Sequence, residues 1–91
     1  MGGVEGKYVM SVAVGITGIE AHRIRRYEAA GLLCPCRTGG RQRLFSDHDI
    51  GMIREIARLE EQGVNLTGIG VILEMRRKES PASRDENLNE E

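Results

Sequence analysis

The middle of this 91-residue chain is rich in arginine. Six arginines but only two acidic residues lie between positions 20 and 43, which leaves an excess of four positive charges. A concentration of guanidinium groups favours contact with a polyanion, because cations that approach phosphates release condensed counterions. The stretch therefore indicates a surface that binds nucleic acid. Its arginines are Arg23, Arg25, Arg26, Arg37, Arg41 and Arg43.

The charge of the whole chain conceals this basic centre. The formal net charge is −1, whereas domains that bind nucleic acid are usually basic overall. Residues 80–91 contain four acidic residues and one arginine, an excess of three negative charges. Because this segment has no apolar stripe to bury, we expect residues 80–91 to form a disordered acidic tail. We expect residues 1–7 to form a flexible N-terminus.

Two short helices are expected on either side of a glycine-containing break at Gly18. Ser11 is the expected N-cap of the first helix, and the second is expected over 20–30 with Gly31 as its left-handed cap. Two short helices joined in this way are typical of a helix-turn-helix. In that motif the second helix lies in the major groove of DNA.

The outer face of helix 20–30 carries the candidate base-reading side chains. At about 100° per residue, Ile24 and Tyr27 form the buried stripe of this helix, and polar side chains lie beside or opposite it. A solvated basic surface is the alternative interpretation of this face. The candidates for DNA contact on this helix are His22, Arg23, Arg25, Arg26 and Tyr27, of which His22, Arg25 and Arg26 are the candidates for base contacts.

A β-hairpin is expected over residues 37–45, directly after the basic helix. Gly39 and Gly40 supply the turn between two short strands. Cations on both arms of this wing could follow the phosphate backbone beside the groove, where contacts give affinity and register. These cations are Arg37, Arg41 and Arg43.

Two longer helices complete the expected domain. Ser46 is the expected N-cap of the third helix, and Asn65 caps the fourth after Gly63 ends the third. The fold class is therefore mainly α with a small β-hairpin, a winged helix-turn-helix of about four helices over residues 8–79. The expected buried stripe of the fourth helix is Leu66, Ile69, Ile72 and Leu73.

Several short motifs together resemble the MerR-family DNA-binding domain. They include Arg-Arg-Tyr-Glu, Gly-Leu-Leu followed by Pro35, Arg-Leu-Phe-Ser and Gly-Val-Asn-Leu, and the resemblance covers about residues 8–76. The heat-shock repressor and glutamine-synthetase repressor branches look closest. The resemblance implies that the following residues lie at or near DNA: Arg25, Arg26, Tyr27, Arg37, Arg41 and Arg43.

The sequence also allows expectations for four aromatic or sulfur-containing residues. Tyr27 either packs in the core or also offers its hydroxyl to a phosphate, and Phe45 is expected in the core. We expect Cys34 and Cys36 to be small packing residues, since two thiolates supply at most half of a tetrahedral zinc site. We therefore expect no metal and no cofactor.

The expected function is a sequence-specific transcription regulator on double-stranded DNA, with repression favoured. The alternative is an excisionase-like architectural protein that bends DNA, and a third hypothesis is a protein-binding module acting through helix 66–79. The resemblance implies a homodimer, although from this sequence we do not expect the long coiled-coil helix usual in the family. With no catalytic motif and no membrane-spanning stretch, we expect a non-enzymatic protein of the cytoplasm, associated with the nucleoid when bound to DNA.

Overall fold

The computed structural model describes residues 6–78. The expected acidic tail and most of the expected flexible N-terminus lie outside the described residues. Lys7, assigned above to that N-terminus, donates its backbone N–H to the carbonyl of Phe45 at 2.9 Å. The elements in chain order are α1 (Met10–Thr17), α2 (Ala21–Ala29), β1 (Cys36–Arg37), β2 (Arg43–Leu44), α3 (Asp47–Glu61) and α4 (Leu66–Lys78). The described chain is thus mainly helical with a small antiparallel hairpin, which confirms the expected fold class.

The first helix begins earlier than its sequence indicates. Tyr8 forms a bridge with Phe45, and only Val9 separates this bridge from the start of α1. Val9 is the N-cap and has no side-chain hydrogen bond, so the prediction of Ser11 as N-cap is wrong. Gly18 ends the helix in the left-handed conformation, with φ 75°.

The second helix follows its prediction closely. Glu20 and Ala30 flank α2 as its caps, and Gly31 adopts φ 83°, the left-handed conformation expected of it. Residues that carry a Cβ rarely adopt this backbone conformation. The Gly31 N–H donates to the carbonyl of Glu28 at 2.9 Å, which closes the helix end.

The hairpin that forms the wing is short. Cys36 pairs with Leu44 and Arg37 with Arg43 in antiparallel register. The turn closes with a hydrogen bond of 2.8 Å from the N–H of Arg41 to the carbonyl of Thr38. Gly39 and Gly40 lie inside this turn as expected, but the left-handed residue is Arg41, with φ 69°.

The core is built around α3. Ile53 and Ile56 of this helix are fully buried, as are Ile24 and Tyr27 of α2. Phe45 is also fully buried, which confirms the expectation for it. At the start of α3, Ser46 accepts a hydrogen bond from the N–H of Asp49, and the Asp49 side chain accepts one from Ser46, a capping box that fixes where the helix begins.

The fourth helix is only partly covered by the rest of the domain. The Gly68 N–H donates to Oδ1 of Asn65 at 2.8 Å, as expected of an N-terminal cap. Of the predicted stripe, Ile69 is fully buried, whereas Leu66, Ile72 and Leu73 are half-buried. Within residues 6–78, no helix has the length and apolar character that crossing a bilayer requires.

Candidate nucleic-acid interface

Helix α2 separates an apolar side from a basic side. Ile24 and Tyr27 point into the core, whereas His22, Arg25 and Arg26 are exposed. This orientation is the one predicted from the helical periodicity. We call the surface formed by the exposed side of α2 together with the wing the arginine face. It comprises His22, Arg23, Arg25, Arg26, Arg37, Arg41 and Arg43.

Glu60, near the end of α3, organises one edge of the arginine face. Its Oε1 accepts hydrogen bonds from Tyr27 Oη at 2.8 Å and from Arg23 Nη2 at 3.1 Å. Its Oε2 accepts from Nη2 of Arg26. Because spacings of three and four residues separate them from Arg23, Arg26 and Tyr27 lie with it along one edge of α2, where a single carboxylate can reach all three donors.

The partners of Glu60 keep its carboxyl ionised. Burial pushes its pKa upward, but hydrogen bonds from Tyr27 and Arg23 and the charge of Arg26 outweigh burial, so the pKa lies below its ordinary value. Burial and the bond to Glu60 raise the pKa of Tyr27. Tyr27 therefore keeps its proton at neutral pH and donates a hydrogen bond to an ionised carboxylate.

Glu28 connects α2 to the wing. Its Oε2 accepts a hydrogen bond from Arg37 Nη2 at 2.7 Å, and its Oε1 accepts from Nε of Arg43. Burial alone would raise the pKa of Glu28, but these two arginines lower it. The connection ties both strands of the hairpin to α2, so that helix and wing are presented together.

Two arginines of the arginine face have no carboxylate partner among residues 6–78. Arg25 lies on the exposed side of α2, and Arg41 lies at the tip of the wing. Neither forms an ion pair with a described residue. His22 is exposed and has Nδ1 3.5 Å from Oε1 of Glu20.

The balance of charge on the arginine face remains positive. Six arginines stand against Glu20, Glu28 and Glu60, which leaves an excess of three positive charges. Arg26 and Arg37 remain 48% and 43% exposed although each is paired, so their guanidinium groups are open to solvent. The arrangement can therefore bind a polyanion along both α2 and the wing.

The structure places Tyr27 in the core, without exposed area, so only the first of its two interpretations describes this structure. Its hydroxyl meets Glu60 instead of solvent. Contact of Tyr27 with a phosphate stays a prediction that would require the side chain to move. Its visible role is to hold Glu60 beside the arginines.

The two cysteines do not pack in the core, so that prediction is wrong. Cys34 and Cys36 are both exposed free thiols, while Pro35 between them is buried. Alternate residues of an extended chain point to the same side, so the proline takes the inward position and both cysteines face outward. Within residues 6–78, no group of three or more metal-ligating side chains is placed to hold an ion.

Sequence reasoning missed Glu60. The clustering of Arg23, Arg26 and Tyr27 on one side of α2 was visible in their spacing, and it could have indicated a shared acidic partner. The identity of that partner was not visible, because Glu60 lies 33 residues beyond Tyr27.

Comparisons with known proteins agree with this geometry. A family model described as MerR HTH family regulatory protein matches residues 8–76. A protein of Streptomyces coelicolor named putative heat shock protein HspR is 41% identical over 69 residues, covering 75% of this chain and 46% of that protein. The HTH-type transcriptional regulator GlnR of Bacillus anthracis is 36% identical over 75 residues, covering 82% of this chain and 58% of GlnR.

A third relative is similar over a shorter stretch. The HTH-type transcriptional regulator MlrA of Salmonella typhimurium is 47% identical over 57 residues, covering 63% of this chain and 22% of MlrA. This chain spans about half the length of HspR and GlnR. The range matched by the family model, residues 8–76, contains the arginine face.

Proposed function

Because the chain belongs to the MerR HTH family of regulatory proteins, we propose that it binds double-stranded DNA as a sequence-specific transcription regulator. In this proposal α2 enters the major groove and the wing lies on the adjacent backbone. The observation that carries it is the joint presentation of α2 and the hairpin, which Glu28 ties together through Arg37 and Arg43.

The residues of the arginine face divide by their expected contacts. Exposed side chains on the recognition helix are the ones that reach base edges, and we assign this role to His22, Arg25 and Arg26. Side chains on the wing meet phosphates, which give affinity and register but carry no sequence information directly. We assign this role to Arg37, Arg41 and Arg43.

Repression is the direction of regulation that we propose. The sequence resembles the heat-shock and glutamine-synthetase repressor branches of the family, and a protein that occupies a promoter can exclude the polymerase. The proposed setting is the cytoplasm, at the nucleoid. The exposed apolar side chains Val71 and Met75 of α4, 55% and 56% accessible, offer a surface for the second subunit that the family resemblance implies.

The test is a selection of duplexes from a random-sequence pool by the full chain, followed by titration of the selected duplex at several salt concentrations. The proposal predicts enrichment of a defined sequence and an affinity that falls linearly with salt on a double-logarithmic plot. A pool that stays random, or an affinity indifferent to salt, would contradict it. Transcription from a promoter carrying the selected site then distinguishes regulation from DNA bending alone.

A further inference from the structure

Glu28 and Glu60 each bind two arginines, one of which is more sheltered from solvent than the other. At Glu60, the sheltered arginine is Arg23, 25% exposed, and the open one is Arg26, 48% exposed. At Glu28, the sheltered arginine is Arg43, 27% exposed, and the open one is Arg37, 43% exposed. Glu28 and the residues that bind Glu60 lie on opposite edges of α2. The pattern of one sheltered and one open arginine therefore occurs at two separate places.

In each glutamate, one carboxylate oxygen binds the sheltered arginine and the other binds the open arginine. In Glu60, Oε1 accepts from Arg23 and the buried Tyr27, while Oε2 accepts from Arg26 alone. In Glu28, Oε1 accepts from Arg43 and Oε2 from Arg37. Each open arginine can therefore leave its carboxylate oxygen without disturbing the hydrogen bonds of the sheltered one. Arg37 also donates from Nη1 to the backbone carbonyl of Arg41, in its own hairpin, at 3.3 Å.

We propose that Glu28 and Glu60 are positioning residues that hold Arg23 and Arg43 permanently and reserve Arg26 and Arg37 for DNA phosphates. The inference rests on the proposed function and revises it at two residues: Arg26 contacts a phosphate rather than a base edge, and Arg43 stays on Glu28 rather than contacting a phosphate. On DNA, Arg26 and Arg37 exchange a carboxylate for a phosphate. Arg23 and Arg43 stay on their glutamates and hold α2 and the wing in register.

The physical reason is a difference in the cost of releasing each arginine. Arg26 and Arg37 are nearly half-exposed, and an ion pair with a solvent-accessible partner contributes little to stability, so a phosphate can replace the carboxylate of each at small cost. The guanidinium groups of Arg23 and Arg43 are about a quarter exposed, so water replaces a lost carboxylate partner less completely there and their release costs more. The phosphate backbone therefore competes successfully for the open arginines and not for the sheltered ones.

The test compares single glutamine substitutions in the full chain, titrated against the duplex selected above at several salt concentrations. Each phosphate contact contributes about 0.9 to the slope of the logarithm of affinity against the logarithm of salt concentration. Arg26→Gln and Arg37→Gln should each reduce the magnitude of the slope by about 0.9 and leave the melting temperature within about 4 °C of the parent. Arg23→Gln and Arg43→Gln should leave the slope unchanged and lower the melting temperature by about 4 °C or more.

Arg58→Gln on α3 is the matched control. Arg58 is also half-exposed and paired with a glutamate, Glu55, but it lies outside the arginine face. Its substitution should change neither the slope nor the melting temperature appreciably. Arg23→Lys, which keeps the charge, should recover part of the stability lost in Arg23→Gln without altering the slope.

A measurement on the unsubstituted chain keeps the inference testable if a variant does not fold. The side-chain N–H signals of isotope-labelled arginines should shift on DNA addition for Arg26 and Arg37 and stay in place for Arg23 and Arg43. Equal slope losses for Arg23→Gln and Arg26→Gln, or equal signal shifts, would overturn the division while DNA binding itself stands. Absence of salt-dependent binding by the parent would overturn the proposed function as well.

Discussion

Two surfaces of this protein carry arginines clustered around a glutamate, and they differ in how exposed the clustered arginines are. On the arginine face, Glu28 and Glu60 each combine a sheltered arginine with an open one. At the junction of α3 and α4, Glu55 binds Arg58 and Arg76, which are 53% and 51% exposed. Both arginines of the second cluster are therefore equally open to solvent.

The surfaces also differ in their unpaired arginines and in the elements that they connect. Arg25 and Arg41 have no carboxylate partner within residues 6–78, whereas each arginine of α4 forms an ion pair with a glutamate. On the arginine face, Glu60 joins α3 to α2 and Glu28 joins α2 to the wing. Glu55 of α3 joins only the next turn of its own helix and α4. The arginine face thus differs from the α3–α4 cluster in having arginines without a carboxylate partner and in tying α2 to the wing.

The largest expected effect is on DNA affinity when Arg25 is reversed. Arg25→Glu removes a cation from the exposed side of α2 and places a carboxylate against DNA, so affinity for the selected duplex should fall at least about tenfold, about 1.4 kcal/mol. The control is Arg77→Glu on α4, where the side chain is 74% exposed. It should change the affinity by less than about 0.5 kcal/mol. Equal losses in quantitative binding titrations would erase the distinction between the two surfaces.

A smaller effect is expected on the free energy of unfolding when the central glutamate of each cluster is replaced. Glu60→Gln weakens the charge-assisted bonds to Arg23 and Tyr27 and should reduce the free energy of unfolding by about 1–2 kcal/mol. Glu55→Gln weakens ion pairs to two half-exposed arginines, Arg58 and Arg76, and should cost about 0–1 kcal/mol. Urea denaturation of both variants measures the difference. A greater loss in Glu55→Gln would mean that the α3–α4 cluster is the structural one.

The tip of the wing should show opposite effects on stability and binding. Arg41 adopts a left-handed conformation, with φ 69°, that disfavours residues other than glycine. Arg41→Gly should raise the free energy of unfolding by about 0.5 kcal/mol and weaken binding, because the strain and a phosphate contact are lost together. Thermal denaturation and DNA titration of the same sample check this. Unchanged binding would remove Arg41 from the interface.

Mild acid should have the smallest effect, and its sign follows from the lowered pKa values. Glu28 and Glu60 have pKa values below the ordinary 4.5, so they stabilise the folded chain above that pH. This contribution begins to disappear as the pH falls through 4.5 and is lost below the folded pKa. The melting temperature should fall less steeply in Glu60→Gln than in the parent. A parallel fall in both would show that Glu60 does not contribute to the acid dependence.

Local sequence signals predicted the elements that position the interface. The capping box at Ser46, the left-handed Gly31 and the apolar stripe of α2 depend on residues only a few positions apart, so the sequence contains them directly. The outward direction of Arg25 and Arg26 followed from the same periodicity. These signals were sufficient for the fold class and for the side of α2 that is exposed.

The remaining features depend on contacts between distant residues. Glu60 reaches Tyr27 across 33 positions, and no spacing rule identifies such a partner. The start of α1 is set by the bridge between Tyr8 and Phe45 rather than by the hydroxyl of Ser11. Cys34 was mistaken for a core residue because composition does not reveal which residue of an extended segment points inward.

Backbone amide NMR of the full chain, titrated with the selected duplex, locates the DNA contact residue by residue. If DNA binds the arginine face, the largest shifts should occur in α2 and the wing, over residues 21–29 and 36–44, and α4 should change little. Large shifts along α4 with an unperturbed α2 would place the DNA contact on α4 and not on the arginine face.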